Sequence, residues 1–102
     1  MDEYIQELAQ LNEVKVSEVS LEDPTIIAGL IFLYSIDHPL SIESVSAAFL
    51  IDKEKVQQVM NNLENSGYIK GGKILLSKNV DYKDQFLLFS MAGTGKIKVN
   101  YE

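Results

Sequence analysis

The run Lys53-Glu54-Lys55-Val56-Gln57-Gln58-Val59-Met60-Asn61-Asn62-Leu63-Glu64-Asn65 carries five carboxamides, Gln57, Gln58, Asn61, Asn62 and Asn65, behind two lysines. A carboxamide presents a donor and an acceptor side by side. That pair matches the adenine edge in the major groove of DNA and discriminates by roughly 1 to 3 kcal/mol when well placed. Lysine ammonium groups bind phosphate oxygens and set register without reading sequence. The apolar residues Val56, Val59, Met60 and Leu63 recur at three-and-four spacing. In a helix they form one buried stripe, which leaves the amides, Lys53 and Lys55 on the outer surface. Such a surface suits recognition of a polyanion. It also suits a protein-binding surface or a solvated polar face.

Other residues with chemistry in their side chains lead less far. Gly93-Thr94-Gly95-Lys96 has the end of a phosphate-binding loop, but Ser90 stands where that motif needs glycine and Ile97 where it needs Ser or Thr. A plain turn is the expectation there. His38 is the sole histidine and the chain has no cysteine, so neither thiolate ligation nor a disulfide is available. An exposed loop histidine is the simpler reading. Asp81 and Asp84 flank Tyr82, yet paired carboxylates without a pocket are usually solvated loop acids. The sequence carries no enzyme signature, and no catalytic residue, metal or cofactor is expected.

These residues need elements to hold them. Ser41 is a cap candidate for a short helix with Ile42, Val45, Ala48 and Phe49 on one face, and Leu50-Ile51 carries the chain over a bend. Asp52 caps the next helix, which is expected to stop near Gly67. Tyr68-Ile69-Lys70 and Lys73-Ile74-Leu75-Leu76 flank Gly71-Gly72, a two-residue hairpin signal that places Lys70 and Lys73 beside the turn. Upstream, Asp23-Pro24 is a cap and first-turn pair. The apolar run from Thr25 to Tyr34 behind it predicts a core helix. Gly29 inside that helix costs about 1 kcal/mol relative to alanine, a cost usually offset by close approach of another backbone. Asp37-His38-Pro39 is a loop.

This order of helix, turn, helix, glycine and hairpin, with a third helix upstream, resembles the winged helix-turn-helix superfamily. The run VQQVMNNLENSGYI resembles the recognition helix and first wing strand of such domains. The segment LIFLYSIDHPLSIESVSAAFLIDKEKV is also similar to the winged domains of segregation and condensation B proteins. The resemblance covers about fifty-five residues, roughly half the chain, and rests on apolar spacing plus one glycine, so it implies a fold more than a job. It implies a three-helix core with a β-hairpin wing over residues 23–80. In that frame residues 1–22 form an N-terminal helical extension, with Ile5, Leu8 and Leu11 on one side. Val14 and Val16 alternate with Lys15 and Ser17 as in a short strand. Residues 81–102 are expected to form a C-terminal β-hairpin, Gln85–Met91 and Lys96–Tyr101, packing on the same domain or against a second subunit, although Gln85–Met91, apolar on both faces, equally fits one or two helical turns. The fold class is thus α+β.

A chain of 102 residues with 46% hydrophobic and 24% charged residues reads as one globular domain. No apolar run is long enough to span a bilayer, and Met-Asp-Glu has the wrong charge to open a signal peptide, so a cytoplasmic location is expected. The net charge of −6 opposes a protein that grips nucleic acid over its whole surface. The charge is unevenly spread. Residues 1–49 hold nine carboxylates against Lys15 alone, a balance of −8, whereas residues 50–80 balance to +2. All nine cations are lysine, and the missing arginine weakens strong sequence readout.

Two functions follow as expectations. The first is a small, dimeric winged-helix regulator that reads double-stranded DNA with Lys53, Lys55, Gln57, Gln58, Asn61 and Asn62, while Lys70 and Lys73 hold phosphates. The second is an acidic winged-helix adaptor that binds a protein partner through its acidic half or an open strand edge, without DNA.

Overall fold

The computed structural model describes residues 2–75 and 79–96. They form five α-helices: α1 (Asp2–Leu11), α2 (Pro24–Asp37), α3 (Ile42–Phe49), α4 (Lys53–Asn65) and α5 (Tyr82–Ala92). A 3-10 turn (Val16–Glu18) follows α1, and β1 (Ile69–Lys70) pairs antiparallel with β2 (Lys73–Ile74). The fold is α+β and mostly helical.

The chain is wound around α2. Asp23 accepts a hydrogen bond from the Thr25 N–H at 2.9 Å, and Pro24 opens the helix. Every residue from Ile27 to Tyr34 is buried, so α2 has no wet face over more than two turns. A helix apolar all round must be enclosed by others, and here α1, α4 and α5 pack against it. Phe32 anchors the aromatic centre, 5.0 Å from Phe89 and 6.1 Å from Phe86 between ring centroids. Gly29 is the point where α1 and α5 close in: a Cβ there would lie 2.9 Å from both Leu8 Cδ1 and Phe86 Cε1. The close neighbours are side chains, not the backbone that the sequence suggested.

Local rules set α3 and α4. Ser41 and Ser44 cap α3 reciprocally, each backbone N–H donating to the other's hydroxyl, at 3.0 and 3.2 Å. Asp52 caps α4 by accepting from the Glu54 N–H at 3.1 Å. Between them Leu50 takes the left-handed conformation, φ 56° and ψ 44°, a region costly for any residue with a Cβ. Ile51, next to it, is buried. Past α4, Gly71 and Gly72 have φ of +60° and +77°. Positive φ at both central residues is what a two-residue hairpin turn requires.

Two sequence expectations are corrected. Gln85–Met91 is not a strand but lies within α5. Gln85, Phe86, Phe89, Ser90 and Ala92 are buried while Leu87 and Met91 are exposed, a helical division of a run apolar on both faces. The C-terminal β-hairpin therefore does not form as drawn; its second run, beyond Lys96, lies outside the described residues. Nor is there a strand at Val14–Ser17. Glu13 turns the chain with φ 57°, Val14 and Val16 are exposed, and the Glu18 carboxylate accepts from the Lys15 N–H at 3.0 Å, closing a 3-10 turn. No single described helix is long and apolar enough to cross a membrane.

Tyr82 fastens α5 to α1 by donating its phenolic proton to Glu7 Oε1 at 3.0 Å. Burial, reinforced by that bond and by the Glu7 charge, pushes the phenol up to about 12. An unfolded tyrosine titrates near 10. Between about pH 10 and 12 the unfolded chain sheds this proton while the folded chain keeps it. Tyr82 therefore stabilises the fold below about pH 10, and that contribution disappears across the window. Thermal melts at stepped alkaline pH are expected to show a shallower decline for Tyr82→Phe than for the parent chain.

Candidate functional site

Helical geometry divides α4 into sectors at about 100° per residue. Val56, Val59, Met60 and Leu63 are buried against the core. Lys53, Gln57, Asn61 and Asn65, spaced four apart, wind along the exposed side with Gln58 beside them. Glu54, one turn from Gln57 and Gln58, and Glu64, one turn from Asn61, put two carboxylates on the same surface. Lys53 occupies the first turn, where the helix dipole favours anions rather than a lysine. The N–H groups there are already taken, Glu54 by the Asp52 carboxylate and Lys55 and Val56 by the Asp52 carbonyl, so Lys53 offers an exposed ammonium group and no free helix end.

Two of the predicted residues are occupied elsewhere. Asn62 turns towards α5 and donates through Nδ2 to the Gly93 carbonyl at 2.8 Å. It ties the end of α5 to α4 and is not available to a ligand in this arrangement. Lys55 forms an ion pair with Glu22, Nζ to Oε1 at 3.2 Å. At that exposure the pair contributes little stability, but it reduces the positive charge Lys55 offers. Lys55 and Asn62 share the flank of α4 that faces neither the core nor the open ridge, and long-range partners there claim them.

The hairpin supplies the remaining cations. Lys70 and Lys73 are direct cross-strand partners, and both are exposed. Like charges placed opposite each other destabilise a strand pair. The two ion pairs found among the described residues use Lys55 and Lys83, not these lysines. The hairpin stands beside the ridge because β1 packs on α4, and Glu64 and Lys70 border one hollow of about 340 Å³ there. Lys78 lies outside the described residues.

The bend expected at Leu50-Ile51 is present, but the left-handed conformation and exposure of Leu50 are not read from the sequence. Its residue is 90% exposed at the bend that leads into α4, in a conformation where glycine is the usual occupant. The signal in the sequence is a helix end without glycine.

The other candidates fall into structural roles. His38 is exposed and stacks on Tyr34 at 4.4 Å. Gly93, Thr94 and Gly95 close α5 as a turn, with the Thr94 and Gly95 N–H groups donating to the Met91 and Ala92 carbonyls. Asp81 precedes the first turn of α5, and both it and Asp84 are exposed. Among the described residues no group of three or more His, Cys, Asp or Glu is placed to hold a metal. Comparison with family models, with curated proteins and with solved structures gave no match.

Proposed function

We propose that the chain is a small winged-helix DNA-binding protein, a regulator in which α4 enters the major groove and the β1–β2 hairpin serves as the wing. The observation that supports this reading is the pair Lys70 and Lys73, held opposite each other beside the hairpin turn with no ion-paired carboxylate among the described residues. Two like charges held as cross-strand neighbours cost the hairpin some stability, and a bound polyanion would relieve that repulsion. Gln57, Gln58 and Asn61 face outwards on the adjoining ridge and can pair with adenine edges, with Lys53 at its leading end for phosphate. Lys55 and Asn62 drop out of the interface in this arrangement. Self-association through the exposed Leu87 and Met91 of α5 belongs to the same reading, because paired half-sites are how such modules gain specificity.

Lys73→Glu tests the reading with two readouts of opposite sign. It replaces a repelling cross-strand pair with an attractive one, which is expected to raise hairpin stability by about 0.2 to 1 kcal/mol. It is also expected to weaken binding to a mixed-sequence duplex at low salt by about tenfold, measured by fluorescence anisotropy. A variant that is no weaker on DNA would favour the acidic adaptor, a reading supported by the −8 balance of residues 1–49 and by the absence of arginine.

A further inference from the structure

The end of α2 and the edge of β2 enclose a second hollow, of about 390 Å³, away from the α4 ridge. Pro39, Leu40 and Ile74 give it apolar walls, and His38 and Lys73 bring an imidazole and an ammonium group. The Ser35 hydroxyl on its border is already committed, donating to the Phe32 carbonyl at 2.7 Å. Among the described residues no carboxylate lines it. Gly72 and Leu40 both border it, and a Cβ on Gly72 would lie 3.8 Å from the Leu40 carbonyl oxygen, an ordinary contact.

Strand register adds a polar edge. Lys70 and Lys73 flank a two-residue turn and exchange both of their backbone hydrogen bonds, and Leu75 N–H donates to the Tyr68 carbonyl at 2.8 Å. By alternation Ile69 and Ile74 are the non-bonded pair between them, so the Ile74 N–H and C=O point away from β1, and Ile74 is one of the residues lining the hollow. Among the described residues no backbone hydrogen bond joins this edge to the Pro39-Leu40 linker.

We propose that this hollow binds a short-chain aliphatic carboxylate. The alkyl body would lie on Pro39, Leu40 and Ile74, and the carboxylate would take Lys73 and the Ile74 N–H. A space of this size, mostly apolar with a few convergent donors, has the dimensions and chemistry of a small-molecule site. Occupation also regulates the proposed DNA contact, and this part rests on the reading given above. An ammonium group held by a bound carboxylate is no longer free for phosphate, so ligand and DNA oppose each other, and reciprocally.

Hexanoate is the probe, followed by amide chemical shifts of the isotope-labelled full chain. Saturable shifts are expected at Leu40, Gly72 and Ile74 in the millimolar range. Lys73→Gln and the replacement of hexanoate by hexan-1-ol are each expected to weaken binding at least fivefold. Absence of saturable shifts at those amides, or equal binding by hexan-1-ol or by Lys73→Gln, would overturn the site. A second arm measures duplex affinity at constant ionic strength. Saturating hexanoate is expected to lower it about fivefold, and unchanged affinity overturns the coupling. If hexanoate binds as described and no duplex binds under any condition, the site stands and the DNA reading falls. If DNA binds and the shifts are missing, the reverse holds.

Discussion

Gly93→Ala is expected to destabilise the chain by about 3 kcal/mol, the upper range for forcing a methyl group into a packed core. The Gly93 Cβ would lie 2.3 Å from Ala28 Cβ, and 3.2 Å from both the Pro24 carbonyl and Val59 Cγ1. The nearest cannot swing aside: Ala28 Cβ is fixed to the central helix, and Pro24 O is backbone. The end of α5 would have to lift off α2, and with it the Asn62 to Gly93 bond that joins α4. Urea unfolding is the measurement. The companion Ala28→Gly removes the nearest obstructing atom, so Ala28→Gly with Gly93→Ala is expected to be more stable than the sum of the two single changes implies. Gly71→Ala provides the contrast. A Cβ there meets nothing within 4 Å, and only its φ of +60° is strained, which limits the loss to about 1 kcal/mol.

Lys53→Glu, Lys70→Glu and Lys73→Glu together are expected to lower affinity for duplex DNA by more than about a hundredfold at low salt, with folding intact. On the proposed function each substitution would remove a phosphate contact and add a charge that repels the same phosphate. All three side chains are exposed, and neither of the observed ion pairs involves them. Circular dichroism melts and anisotropy titrations on the same preparation separate loss of binding from loss of fold.

How much of this was legible in the sequence depended on how far each determinant reaches. Asp23, Ser41 and Asp52 cap their helices as their spacing indicates, because a cap acts on an N–H two or three residues away. Gly71-Gly72 specified the hairpin for the same reason. The outward sector of α4 followed from four apolar residues, and it left Lys53, Gln57, Gln58 and Asn61 exposed as their positions predict.

The errors arose where distant residues decide. Gln85–Met91 is apolar whether read with period two or 3.6, and it becomes a helix because Phe86 and Phe89 meet Phe32, more than fifty residues earlier. Nothing near Asn62 announces that Gly93 will need its amide, or near Lys55 that Glu22 will be its neighbour. Leu50 shows a further gap. Its left-handed conformation comes from the path that buries Ile51 and starts α4, and helix propensity does not register it.

On the proposed function, the α4 ridge and the paired hairpin lysines together bind a nucleic-acid backbone. The most direct test of that claim is the salt dependence of binding to a mixed-sequence duplex, followed from 50 to 200 mM. Three engaged lysines predict that log affinity falls against log salt with a slope of about −2.7 or steeper, and that the triple glutamate variant loses that dependence. A parent chain without measurable duplex affinity at 50 mM, or with a slope the triple variant shares, would contradict the claim.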